Sequence, residues 1–76
     1  MFIRTSYDQL INVDHISEIY KDYQKYDQLH TIKIRIRDDM PTVICQCIDE
    51  QIINEQFNVL LEGIAKNASL IDFYNE

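Results

Sequence analysis

Glycine is nearly absent: Gly63 is the only one in 76 residues. Loops that cradle phosphates need several glycines close together, so the glycine-rich nucleotide motifs are excluded. Proline is limited to Pro41, which together with the single glycine implies a compact chain with few tight turns. No linker, repeat or low-complexity stretch divides the sequence, and its length suits one small domain. A chain this short buries only about 60–65% of its unfolded surface, so its own core stabilises it only marginally. No apolar run approaches the ~20 residues a helix needs to cross a bilayer. Met1 leads straight into an apolar, strand-like run without a basic segment or cleavage site, so the expectation is a cytoplasmic protein with no membrane partner. Positive charge is scarce in the second half. Residues 1–37 carry six bases and five acids, whereas residues 38–76 carry one base and eight acids. The net charge of −6 therefore sits in the C-terminal half, which should repel phosphate backbones and attract basic surfaces.

What is present reads first as strands. Met1 to Thr5 opens as a short strand, Tyr7-Asp8-Gln9 is polar enough to turn, and Leu10 to Ile16 resumes with a bend through Asn12, Asp14 and His15. In Ile16 to Tyr23 the alternation sets Ile16, Glu18 and Tyr20 on one face and Ile19, Lys21 and Tyr23 on the other. His30 to Asp38 is the clearest strand: Ile32, Ile34 and Ile36 share one face and Lys33, Arg35 and Arg37 the other. The segment Asp38-Asp39-Met40-Pro41 ends it, since proline cannot donate to a ladder and paired acids favour a turn. Thr42 to Ile48 then returns as a hairpin partner.

From Asp49 the period changes. Ile53, Phe57, Leu60, Leu61 and Ile64 form the apolar stripe of an amphipathic helix. Asp49 suits the N-cap, Ile48 and Ile53 are spaced for a hydrophobic staple, and Asn67 suits the residue after the C-cap. Gly63 would allow close packing on the sheet. The expected fold is α+β: a four-stranded antiparallel meander over residues 1–48, one helix over 49–67 covering one face, and a docked tail over 68–76.

The opening Phe2-Ile3-Arg4-Thr5, followed by Leu10-Ile11-Asn12-Val13-Asp14-His15-Ile16, resembles a group of small bacterial proteins of unknown function. Their pattern runs F-I-R-T, then a D-G turn, then L-[IV]-N-L-D-H-I. More loosely, the layout is similar to short proteins encoded in flagellar operons. The resemblance covers about the first sixteen residues closely and implies a fold rather than an activity. The chain departs from it at Asp8-Gln9, where the pattern has Asp-Gly.

Candidate chemistry is sparse. Cys45 and Cys47 are two apart, which on a strand separates the α-carbons by about 6.5–7 Å, at or past the reach of a disulfide. As zinc ligands they would need His15 and His30, and the spacing does not match a zinc knuckle. The expectation is two packed strand cysteines with no metal and no cofactor. Asp14 and His15, being adjacent on a strand, point to opposite faces and are poorly placed as a base and its orienting partner. The chain is expected not to be an enzyme.

Two surfaces remain. Lys33, Arg35 and Arg37, with nearby tyrosines, form a basic face of the kind that binds single-stranded nucleic acid, although Glu18 and Asp22 stand ready to neutralise it from the next strand. Against this stands an acidic exterior: Glu55 and Glu62 on the outer helix face and Asp38 and Asp39 in the turn, with Tyr23 and Tyr26 as aromatic anchors. The reading is a non-catalytic module that binds a basic protein partner. In size and charge the chain is similar to phage or mobile-element inhibitors, anti-CRISPR proteins among them. The alternatives are a weak single-strand nucleic-acid binder and a housekeeping domain that dimerises through a free sheet edge.

Overall fold

The computed structural model describes residues 1–74, and its strands follow the β-branched runs. Strand β1 (Phe2–Arg4) pairs antiparallel with β2 (Leu10–Asn12). The loop between them is closed by the Asp8 amide donating to the Thr5 carbonyl and the Thr5 amide donating to the Gln9 carbonyl. The Thr5 side chain is buried, and its hydroxyl accepts from the amides of Tyr7 and Gln9. Asp8 itself takes the left-handed conformation, with φ 62°. Asp tolerates that region better than most residues, so this turn does not require glycine at position 9.

After β2 the chain does not run on as a strand. The Asn12 side chain accepts from the Asp14 amide and starts one turn of 3-10 helix over Val13–His15. The turn divides the molecule into two sheets. Strands β3 (Ile16–Gln24), β4 (Leu29–Ile36) and β5 (Thr42–Cys47) form the second, an antiparallel sheet in the order β3-β4-β5. Helix α1 (Glu50–Ala65) follows, and β6 (Leu70–Asp72) completes the first sheet in the order β2-β1-β6. The α+β class and the single C-terminal-side helix are as expected. The four-stranded meander is not: the described residues form six strands in two three-stranded sheets, because the 3-10 turn takes β3 away from β2 and the tail pairs parallel with β1, Ile71 opposite Ile3.

Two bulges shape the larger sheet. In β3 the register slips between Ile16 and Glu18, so Ile16 lies opposite Ile36 while Glu18 lies opposite Arg35. An extra residue reverses the alternation at that point. Ile16 therefore packs against the core, and Glu18 and Tyr20 turn outward, which corrects the expectation that all three share a face. In β5 the slip leaves Ile44 unpaired between Val43 and Cys45. Ile44 is fully buried, and its free carbonyl accepts from the amide and hydroxyl of Ser6, which ties the two sheets together.

The helix carries the caps its sequence predicts at both ends. Asp49 accepts from the Gln51 amide, and Asn67 takes φ 57° while its amide donates to the Ile64 carbonyl and that of Ala68 to Gly63. These two bonds are the Schellman arrangement. Ile53 and Leu60 are buried, with Phe57 and Ile64 packed beside them. Leu61 is 46% exposed and Ile48 75% exposed. The stripe is thus narrower than expected on Leu61's side, because the helix turns Gly63 toward Ile71 and Gln56 toward Cys45. The staple over Ile53 does not close. The core gathers Ile3, Ile32, Ile34, Ile44, Cys45, Ile53, Leu60, Ile71 and Phe73.

Candidate functional site

The basic stripe on β4 is held by its neighbours. Glu18 and Asp22 occupy the same outward face of β3 as the bases of β4. The Lys33 ammonium donates to an Asp22 carboxylate oxygen at 2.8 Å, and the Arg35 guanidinium lies 3.9 Å from Glu18. Arg37 does not continue the row. β4 ends at Ile36, and Arg37 sits in the following turn with φ 56°. The tyrosines do not form one platform either. Tyr20 faces outward opposite Lys33, Tyr23 faces the helix side opposite His30, and Tyr26 stands in the loop between β3 and β4, 98% exposed.

Asp22 is the best-defined charge of this face. The Lys33 bond, then the amide of Tyr23, hold its carboxyl below the ordinary value of 3.8, and the same pair raises Lys33 above 10.5. A lowered folded-state pKa stabilises the fold above the unfolded value and loses that effect as pH falls through the folded one. A raised lysine pKa does the opposite, stabilising below 10.5 and fading as pH climbs through the folded value. The pair should therefore act across the window between these limits. Urea titration of wild type and Asp22→Asn should show the variant less stable at pH 7, with the two midpoints converging in acid. A constant gap down to pH 2 would contradict this.

The acids named from the sequence have the opposite fate. Glu55 and Glu62 project from the outer side of α1, and Asp38 and Asp39 occupy the exposed turn after β4. Among the described residues none of the four makes an ion pair. By contrast Arg4 gathers Asp8 at 2.8 Å and Asp72 at 3.5 Å, with its guanidinium 4.2 Å above the Tyr74 ring.

Cys45 is buried under α1 and hydrogen-bonded to Gln56. Burial, and secondarily Cys47, push its thiol up to about 11, so it is a poor nucleophile at neutral pH. Both cysteines are free, and among the described residues no three His, Cys, Asp or Glu side chains converge. His15 lies exposed in the 3-10 turn.

The structure also brings together what the sequence leaves apart. On the helix-facing side of the β3–β4 hairpin, the Tyr23 and His30 rings meet with centroids 4.5 Å apart. Lys21, two residues along β3, donates to Asn54 at 2.9 Å and lies over the Phe57 ring. Lys21, Tyr23, His30 and Asn54 line an open groove of about 580 Å³ together with Asp22, Glu50 and Ile53. Only Tyr23 of this group was legible as a candidate, because the groove depends on strand register and helix docking. A second unforeseen feature is the outer face of the smaller sheet. Phe2 and Leu70, exposed and directly paired, lie with Leu10 on a surface that alternation alone would have shown once β6 was known to be a strand. No helix among the described residues is long and apolar enough to cross a membrane. No family model, curated protein or solved structure matches this chain.

Proposed function

We propose that the protein is a non-catalytic acidic module that binds a basic protein partner and acts as an inhibitor or regulator, of the kind phages and mobile elements carry. One observation carries this reading: of the basic stripe, Lys33 is bonded to Asp22, Arg35 lies near Glu18 and Arg37 leaves the row for the turn, while the carboxylates of Glu55 and Glu62 are left to solvent. The field outside the molecule is then set by its unpaired acids, and such a field steers basic partners and repels phosphate. Tyr26 and Tyr23 supply aromatic surface of the type that anchors interfaces.

The test is affinity capture from cells that carry the gene. Wild type should retain a basic protein at low salt, with retention unchanged by nuclease. Glu55→Lys with Glu62→Lys should lose it, since reversing rim charges chiefly slows association and changes salt dependence. Failure to recover any protein, or a capture that nuclease abolishes, defeats the proposal. The second outcome would favour single-stranded nucleic acid as the ligand.

A further inference from the structure

We propose that the groove between the β3–β4 hairpin and the first turns of α1 seats an arginine side chain of the basic partner, an assignment that rests on the acidic-module reading above. The groove is open and holds about 580 Å³. Its side wall is the Tyr23–His30 pair, and Tyr23 remains 47% exposed beside that contact. Its floor is closed by Ile53, which belongs to the buried core, so the accessible apolar surface of the groove is the Tyr23 ring.

Charge decides the kind of occupant. Asp22 is committed to Lys33, and Lys21 is drawn to Asn54 and over Phe57. Glu50 lies at the groove and makes no ion pair among the described residues. Among the described residues Glu50 is therefore the groove carboxylate without a partner, it lines the same groove as the Tyr23 ring, and Lys21 is the one cation there that competes with an incoming base. The combination of carboxylate and ring favours a planar guanidinium over an ammonium, because only the guanidinium stacks on a ring and presents a fork of donors to a carboxylate together.

The molecule already contains this recognition in closed form. Arg4 lies 4.2 Å over Tyr74 and reaches the carboxylates of Asp8 and Asp72. The groove offers tyrosine and carboxylate in the same way to a side chain from outside. The chain path also supplies a rim, since the hairpin tip with Tyr26, the end of β5 with Ile48 and the start of α1 lie at one end of the molecule, and both side chains are exposed.

The experiment is a titration of isotope-labelled full-length protein with hexa-arginine and with hexa-lysine, read by amide chemical shifts. Hexa-arginine should move the amides of Tyr23, His30 and Glu50 and bind several-fold more tightly than hexa-lysine. Glu50→Gln and Tyr23→Leu should each weaken it by roughly two- to fivefold, the scale of an exposed cation–π or ion-pair contact. Lys21→Gln, which removes the competing cation, should strengthen it. Well-dispersed spectra identify the variants that fold. Equal binding of the two peptides, or weaker binding by Lys21→Gln, overturns the arginine seat. Shifts confined to the Glu55 and Glu62 face overturn the seat and leave the acidic-module reading standing. No shift with either peptide at millimolar concentration overturns both.

Discussion

Ending the chain at Ser69 is expected to leave it unfolded. The deletion removes β6 and Phe73, and with them two side chains that the core buries almost completely, Ile71 and Phe73. Burying each stabilises by about 1.5–3 kcal/mol. The parallel ladder on β1 goes too, as does the bond from the Phe73 amide to the Arg4 carbonyl, and Ile3 loses the neighbour that covers it. A domain of this length holds in total about 4–11 kcal/mol, at ~0.05–0.15 kcal/mol per residue. The lost burial is of the same size as a large part of that total, and β1 with β2 alone make a hairpin too small to stand in water. Circular dichroism and urea titration should show no cooperative transition. A transition with a midpoint near that of the full chain would mean that the larger sheet and α1 suffice, and that the smaller sheet is an accessory.

Gly63→Ala is expected to destabilise the protein although alanine is the better helix former. A β-carbon at this position would stand 2.6 Å from Cδ1 and 2.7 Å from Cγ1 of Ile71. Real β-carbons do not come so close to other atoms, so the Ile71 side chain, α1 or β6 must shift. Ile71 is buried and cannot swing into solvent. Overpacking of this kind costs about 1–3 kcal/mol, against a helix-propensity gain of up to ~1 kcal/mol. Even after the full propensity gain the net loss is up to about 2 kcal/mol, which should lower the melting temperature by up to roughly 15 °C for a domain of this size. Ile71→Val removes Cδ1, one of the two clashing atoms, and costs about 0.5–1.5 kcal/mol by itself. The double variant should then be less destabilised than the sum of the singles, by at least ~0.5 kcal/mol. Strict additivity would show that the two positions do not contend for the same space. A gain in stability for Gly63→Ala alone would show that β6 lies farther from α1.

Both results turn on β6, which is where reading the sequence stops short. Leu70, Ile71 and Phe73 are visible as apolar residues that must dock, but their partner, β1, lies at the other end of the chain. A three-residue strand carries too little alternation to declare itself, and nothing local specifies a parallel pairing over so long a separation. The bulges are hidden for a related reason. Ser17 and Ile44 sit in runs that alternate well on paper, and only pairing with β4 reveals the extra residue in each. Acidic Glu55 and Glu62 were legible because helical periodicity places them opposite Ile53 and Leu60 whatever the helix packs on. The groove was not, because Tyr23 and His30 meet only through strand register, and Glu50 joins their groove only through the docking of α1.

By itself, then, the sequence determined the elements whose physics is local. The alternating isoleucines of β4, the Asp49 cap, the period of α1 and the left-handed Asn67 follow from sterics and hydrogen bonding within a few residues. It also foresaw that Asp22 and Glu18 could neutralise the basic stripe, since cross-strand neighbours of a hairpin are nearly fixed once the turn is placed. Tertiary structure alone decided the rest: two sheets rather than one, Gly63 against Ile71, and the groove beside Glu50. Those depend on long-range closure, where many pairings satisfy the same local preferences and the burial of a shared core selects among them.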